Sequence, residues 1–242
     1  MRRTPQVVLA ASGGYGPPTE SGDLTVGPIF KYGLELTGAS RPKVGFLTTG
    51  VGDDSAIQVN LLRAAYEIGC QPTFVSVFPR LSPPDVHEQL LAQDMIWVHG
   101  GSVANMLALW RLYNLDETLK RALASGVLLA GTSAGSLCWH VGGATKSYGP
   151  EPRLFDNGLA LVRFGNSVHL DSEPERHALV ADAVLQGALP KSYCTQDGVA
   201  LIYEDGLLAN AVTDKAGAYA TCIEATAGTI EEHRVEPQRL KL

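Results

Sequence analysis

Short apolar segments rich in β-forming residues alternate with longer amphipathic segments through the first half of the chain. The apolar segments are predicted as strands, at residues 6–12, 43–49, 73–78, 95–98 and 127–130. Helical periodicity lies between and after them, at residues 54–68, 86–93, 103–112 and 115–125. This alternation is typical of a parallel sheet, and near-continuous apolar strands indicate burial on both faces. The predicted fold is therefore α/β, a three-layer sandwich with a mostly parallel sheet and helices on both faces.

The pattern changes beyond Pro190, where residues 198–203, 207–213 and 217–224 form short runs separated by turn sequences. These runs predict C-terminal antiparallel hairpins at the edge of the same domain. Glycine and prolines at residues 148–157 predict a surface loop. The chain has 242 residues, 45% of them hydrophobic, which suffices for one core. Because no linker is evident, residues 1–242 are predicted to form a single domain.

Charge and cysteine usage narrow the functional classes. The net charge of −6 argues against nucleic acid or an anionic membrane as a partner. No segment approaches the roughly 20 apolar residues that a membrane-spanning helix needs. The four cysteines are widely spaced, without a CxxC pair, and are expected to be reduced thiols in a cytoplasmic protein. No metal or cofactor is expected.

The segment Gly131-Thr132-Ser133-Ala134-Gly135 follows the predicted strand at 127–130 directly, and residues 136–141 can start a helix. Gly-x-Ser-x-Gly between a strand and a helix is the pattern of a nucleophile elbow, in which small residues flank an exposed serine. The N-terminus of the following helix can stabilise an oxyanion through its N–H groups. Ser133 is therefore the predicted nucleophile. The alternative is a glycine-rich turn with an incidental serine.

A second glycine pair, in His99-Gly100-Gly101-Ser102, ends the preceding strand. Because the carboxyl ends of parallel strands line one crevice, Gly101 can place a second backbone N–H opposite Ala134. The alternative is a simple turn with Ser102 as helix N-cap, and both descriptions can hold together.

The general base is predicted to be His169, because it ends the apolar run Ser167-Val168 downstream of the nucleophile. His99 adjoins the second glycine turn and could also line the pocket. A carboxylate on the imidazole Nδ1–H would fix its tautomer, and both Asp171 and Asp197 remain candidates for that acid.

Together these motifs resemble the peptidase E (aspartyl dipeptidase) and cyanophycinase family of serine peptidases. The most specific pieces are the segment from Gly131 to Trp139 and the stretch His169-Leu170-Asp171-Ser172-Glu173-Pro174-Glu175-Arg176. The resemblance implies a fold like that of the class I glutamine amidotransferases, with Ser133 as nucleophile and His169 as base. It also implies that Gly101 and Ala134 supply the oxyanion N–H groups.

The chain departs from this family at Lys146, where many relatives carry the carboxylate of the triad. Asp171 is then the expected acid, since class I glutamine amidotransferases place theirs two residues after the histidine. Asp197 stays the alternative. Asp171 could instead cap a helix predicted at residues 172–185.

The resemblance implies hydrolysis of short peptides, in particular dipeptides with an N-terminal aspartate, which requires a cation in the pocket. Arg176 and Lys146 are the candidates for that cation, and Gly100 is expected beside the substrate. One alternative is an isoaspartyl or cyanophycinase-type peptidase that cleaves β-aspartyl links. Another is a catalytically weakened member of the fold that binds a small acidic ligand. A homodimer is also expected, because the sheet has edge strands that can pair and because small peptidases of this fold form dimers.

Overall fold

The computed structural model describes residues 5–78 and 85–241. The strands in chain order are β1 (Val7–Ala11), β2 (Tyr15–Gly16), β3 (Thr25–Val26), β4 (Lys43–Leu47), β5 (Gln71–Phe74), β6 (Met95–Val98), β7 (Leu128–Thr132), β8 (Gly143–Thr145), β9 (Arg153–Phe155), β10 (Gly165–Ser167), β11 (Ser192–Thr195), β12 (Val199–Glu204), β13 (Leu207–Thr213), β14 (Ala220–Thr226), β15 (Thr229–Val235) and β16 (Gln238–Arg239). The α-helices are α1 (Pro28–Leu36), α2 (Ser55–Glu67), α3 (Val86–Leu91), α4 (Val103–Leu112), α5 (Leu115–Ala124), α6 (Ala134–Leu137) and α7 (Glu175–Leu185).

The larger sheet has eight strands in the order β16-β13-β12-β1-β7-β6-β4-β5. The five strands from β1 to β5 in that order run parallel to one another, and β12 pairs antiparallel with both β1 and β13. Four of these parallel strands coincide closely with the predicted apolar segments, whereas β5 shares only residues 73 and 74 with the segment predicted at 73–78. The α/β class and the mostly parallel sheet are therefore confirmed.

Strand β6 illustrates why this sheet is covered on both faces. Met95 and Trp97 join the apolar cluster under α1 and α2, whereas Ile96 and Val98 join the cluster under α4 and α5. All four side chains are fully buried. Because successive strand residues point to opposite faces, an uninterrupted apolar strand needs a helical layer on each side. Each such side chain stabilises the fold by about 1.5–3 kcal/mol.

A second sheet, in the order β15-β14-β11-β10-β8-β9, was not predicted from the sequence. Of the predicted C-terminal hairpins, β12–β13 extends the first sheet, but β14–β15 belongs to this second one. The expected surface loop at 148–157 contains β9, whose Phe155 is buried. Strands β8 to β11 have only three or four residues and include glycine, asparagine and serine, so they give little β signal.

The carboxyl ends of β1, β7 and β6 lie side by side at one edge of the larger sheet. Ala11 pairs with Thr132, and Gly131 pairs with Val98. The turns that follow these strands therefore meet at this edge, as expected for a ligand crevice in an α/β sheet. No helix within residues 5–78 and 85–241 is long and apolar enough to cross a membrane.

Candidate active site

Ser133 stands at a sharp corner between β7 and α6. Its backbone has φ 55° and ψ −116°, a strained conformation for a residue with a side chain. The corner is held because Ser133 N–H donates to Ala11 O at 2.9 Å, while Ser133 O accepts from Ser136 N–H. A Cβ on Gly135 would collide with Val98 O, so only glycine fits beside the corner. The strand–turn–helix context predicted for Ser133 is confirmed.

His169 reaches the nucleophile from a loop after β10. Its Nε2 lies 2.9 Å from Ser133 Oγ, within hydrogen-bond distance. His169 itself has φ 65°, and its N–H donates to Ser12 Oγ at 3.3 Å. Ser12 Oγ lies in turn 2.5 Å from Thr195 Oγ1. The loop is thereby fixed between the ends of β1 and β11, which places the imidazole against the serine.

Asp197 is the carboxylate that contacts the imidazole. Its Oδ1 lies 2.5 Å from His169 Nδ1, and its Oδ2 accepts from Ser172 Oγ at 3.0 Å. The imidazole therefore donates from Nδ1 to the carboxylate and faces the serine with Nε2.

Asp171, the acid expected by analogy with the class I glutamine amidotransferases, does not take this place. Its Oδ1 accepts the Asp197 backbone N–H at 2.8 Å, and its Oδ2 pairs with Lys215 Nζ at 2.7 Å. The turn after His169 directs the Asp171 carboxylate at the backbone of the loop that carries Asp197. Burial raises the pKa of Asp171, but the Asp197 N–H and Lys215 outweigh it and hold this pKa below its usual value. Asp171 does not cap a helix either, because α7 begins at Glu175 after Pro174.

The residues predicted to supply the oxyanion N–H groups, Gly101 and Ala134, lie in two turns next to Ser133. Ala134 is the first residue of α6, so its N–H has no acceptor within the helix. A Cβ placed on Gly100 would lie 3.2 Å from Ser133 Cβ, which brings the Gly100-Gly101 turn against the nucleophile. Gly101 has φ 121°, and Ser102 N–H donates to Gly50 O at 2.8 Å. Ser102 also caps α4 by accepting from Asn105 N–H, so both descriptions of this turn hold.

The turn that carries Gly50 is itself anchored by a buried acid. Asp53 accepts from Thr48 Oγ1 at 2.8 Å and from Ser76 Oγ at 2.5 Å. Because Gly50 O receives the Ser102 N–H, this network fixes the second glycine turn relative to the sheet. Asp53 was not recognisable from the sequence, because an acid in a turn after a strand gives no distinguishing signal.

Comparison with known proteins agrees with this geometry. The sequence profile of peptidase family S51 matches residues 16–210. The chain belongs to peptidase family S51. It is 31% identical over 214 residues to the uncharacterized peptidase YgaJ of Bacillus subtilis (strain 168), an alignment that covers 88% of this chain and 90% of that protein.

Two solved structures share the fold of this S51 peptidase. A peptidase from an acI-B1 actinobacterium superposes with a TM-score of 0.68 at 12% identity, covering 98% of this chain and 96% of that one. A protein from Listeria monocytogenes EGD-e, provisionally named peptidase E, superposes with a TM-score of 0.55 at 15% identity, covering 96% and 100% of the two chains. The match to the S51 profile confirms membership of the peptidase E family, and the protein is a serine peptidase.

Lys146 and Arg176, the two side chains predicted to bind the substrate's carboxylate, both contact Glu173. Lys146 Nζ lies 3.1 Å from Glu173 and 2.8 Å from Glu175, and one third of its side chain is exposed. Arg176 is buried, with Nε 2.6 Å from Glu173 and one guanidinium N–H donating to Ala144 O. Arg176 therefore holds α7 against β8, whereas Lys146 remains accessible. Glu175 and Glu173 raise the pKa of Lys146, so it stays charged.

A cavity of about 500 Å³ adjoins the triad of the S51 peptidase. His169 and Asp197 line it, together with Tyr15, Asp214 and Lys215. A larger depression, of about 810 Å³, lies where β4 and β5 begin, at the opposite end of the strands, and no triad side chain lines it. We take the smaller cavity, which Lys146 does not line, as one part of the substrate site because chemistry requires contact with the triad.

Proposed function

We propose that this S51 peptidase hydrolyses short peptides with an N-terminal aspartate through an acyl-enzyme on Ser133. His169 Nε2 accepts the Ser133 proton while Oγ attacks the scissile carbonyl carbon. The protonated imidazole then gives this proton to the leaving amine as the peptide C–N bond breaks. Water attacks the resulting ester, with His169 again as the base, and the aspartate is released.

Asp197 is the orienting acid in this proposal. As a carboxylate it accepts the His169 Nδ1–H at 2.5 Å and stabilises the imidazolium that forms when Ser133 loses its proton. The backbone N–H groups of Gly101 and Ala134 stabilise the negative carbonyl oxygen of the tetrahedral intermediate, each by about 3–4 kcal/mol.

The unbroken chain of hydrogen bonds from Ser133 through His169 to Asp197 carries the proposal. It favours catalysis over the alternative of a weakened, ligand-binding member of the fold. That alternative followed from Lys146 at the usual acid position, and Asp197 now supplies the missing carboxylate. The strained backbone of Ser133 supports catalysis too, since such strain is concentrated at functional sites.

Lys146 is the proposed anchor for the substrate's aspartate side chain. It lies next to Ser147, whose Oγ is 3.5 Å from Ala104 N in the first turn of α4, directly after the Gly100-Gly101 turn. A substrate carboxylate can share the accessible ammonium with Glu173 and Glu175. Arg176 contributes indirectly, by holding Glu173 in place.

The cytoplasm is the proposed compartment. Each of the four cysteines is a buried free thiol, which suits a reducing environment.

The proposal is tested by hydrolysis of α-Asp-Leu, β-Asp-Leu and Ala-Leu by the wild type and by Ser133→Ala. We expect the wild type to cleave α-Asp-Leu best and Ser133→Ala to lose about 10⁴-fold or more in kcat. Preference for β-Asp-Leu would select the isoaspartyl alternative. Binding of aspartate without any hydrolysis would select the ligand-binding alternative.

A further inference from the structure

A pair of aromatic residues holds the ring of His99 at the edge of the active site. Trp97 and His99 are two residues apart at the end of β6, so their side chains lie on the same face of the sheet. The Trp97 indole N–H donates to Tyr15 Oη at 3.0 Å, and Tyr15 Oη lies 2.6 Å from His99 Nδ1. The centroids of the Tyr15 and His99 rings are 5.4 Å apart.

The direction of these hydrogen bonds fixes the tautomer of His99. An indole N–H can only donate, so Tyr15 Oη accepts from Trp97. Burial raises the pKa of Tyr15, so the phenol keeps its own proton, and His99 Nδ1 is the acceptor within reach. Burial also lowers the pKa of His99, which keeps its ring neutral. The ring proton therefore resides on Nε2, and Nε2–H is a hydrogen-bond donor.

The residue that carries this donor adjoins the glycine turn next to the nucleophile. His99 directly precedes Gly100, whose missing Cβ would sit 3.2 Å from Ser133 Cβ. Tyr15, which holds the other side of the imidazole, lines the same cavity as His169 and Asp197. Within residues 5–78 and 85–241, His99 Nε2 has no hydrogen-bond partner, and the side chain is only partly buried.

We propose that His99 is a substrate-binding residue whose Nε2–H donates to a carbonyl or carboxylate oxygen of the bound peptide, and that Tyr15 is its positioning residue. The inference rests on the proposed function, to which it adds a hydrogen bond from His99 that helps to select the substrate. With Nδ1 accepting from Tyr15, the neutral ring carries its proton on Nε2, and this N–H has no acceptor among the described residues, so it is free to bind a substrate oxygen.

The test compares His99→Gln, His99→Asn and Tyr15→Phe with the wild type. A glutamine amide can place an N–H near the position of the imidazole Nε2, whereas an asparagine amide reaches only the position of Nδ1. His87→Asn is the matched control, because His87 Nδ1 also binds a hydroxyl, Thr118 Oγ1 at 2.6 Å, away from the triad.

We expect His99→Asn to raise KM for Asp-Leu by about 3- to 10-fold with little change in kcat, the loss typical of one hydrogen bond. His99→Gln should restore most of that loss, Tyr15→Phe should raise KM less, and His87→Asn should leave KM unchanged. Nitrogen-15 NMR of the wild type should show the Nε2–H tautomer of His99 across neutral pH. A wild-type KM in His99→Asn, or an Nδ1–H tautomer, would overturn the inference.

A fluorophosphonate label separates this result from the proposed function. The label reacts with an activated serine whatever peptide the enzyme prefers, so its rate on Ser133 should be the same in the wild type and in His99→Asn. An unlabelled wild type would refute the proposed function itself. A His99→Asn variant that loses labelling and melting temperature together would show a structural role and would overturn the inference alone.

Discussion

The Oδ1 atom of Asp197 lies 2.5 Å from Nδ1 of His169, although 28 residues separate the two in the chain. Asp171 is only two residues from the histidine, yet its carboxylate binds the Asp197 backbone N–H and Lys215 instead. The nearer acid thus supports the loop that carries the farther one. This arrangement explains how the site keeps a complete triad with Lys146 at the family's usual acid position.

Gly101→Ala should disable the oxyanion site. A Cβ on Gly101 would collide with Gly50 O, and the backbone has φ 121°, so the turn and its N–H must move. We expect kcat to fall by about 10²- to 10³-fold, as for the loss of one oxyanion donor. Gly52→Ala is the control, because Gly52 also has a positive φ, of 69°, but nothing lies within 4 Å of its Cβ position. A kcat within about 3-fold of wild type in Gly101→Ala would contradict the assignment.

Lys146→Met should impair recognition of aspartate and leave the chemistry intact. Loss of a charge-assisted contact should raise KM for Asp-Leu by about 10- to 100-fold. KM for Ala-Leu should not change. Lys191→Met is the control, because Lys191 is similarly exposed and is paired with Glu224 in the second sheet, at 3.1 Å. Equal losses for both substrates in Lys146→Met would show that Lys146 supports the fold rather than the specificity.

His140 should make folding stability depend on pH. It is fully buried, and its ring contacts Ser136 O at 2.9 Å and Tyr203 Oη at 3.3 Å. Burial lowers its pKa to about 3, well below that of an unfolded histidine. Between those values the unfolded chain binds the extra proton, so stability rises with pH through this range and is lost as the pH falls.

His140→Gln should flatten that slope. In denaturant titrations between about pH 4 and 6, the wild type should lose up to about 1.4 kcal/mol per pH unit from this residue alone. The variant is less stable at neutral pH but should lack this contribution to the slope. The exposed His233→Gln provides the control. An unchanged slope in His140→Gln would show that another group causes the acid sensitivity.

The nucleophile and the base were predictable because each lies at the end of a strand that the sequence reveals. The elbow around Ser133 and the strand-end position of His169 are local patterns, and the structure brings the two side chains together at 2.9 Å. Choosing between Asp171 and Asp197 was not possible locally, because it depends on how two loops pack at the edge of the sheet. The roles of Tyr15 and Ser12 depend on contacts with residues 84 and 183 positions away, which no local pattern encodes.

The second sheet could not be predicted because it too depends on contacts between distant parts of the chain. Its central strands β8, β10 and β11 are short, and they become strands by pairing with β14 and with one another. Tertiary context outweighs intrinsic propensity in such segments. Most of the parallel half of the first sheet was predictable because β1, β4, β6 and β7 are distinct buried apolar runs, unlike the edge strand β5.

The triad is tested most directly by kcat/KM of Asp197→Asn beside Asp171→Asn with an Asp-Leu substrate. An asparagine at 197 cannot hold the His169 tautomer, and we expect kcat/KM to fall by about 10³- to 10⁴-fold. An asparagine at 171 can still accept the Asp197 N–H, so its loss should stay below about 10-fold. A large loss of kcat/KM in Asp171→Asn together with a nearly wild-type kcat/KM in Asp197→Asn would contradict the Ser133–His169–Asp197 triad.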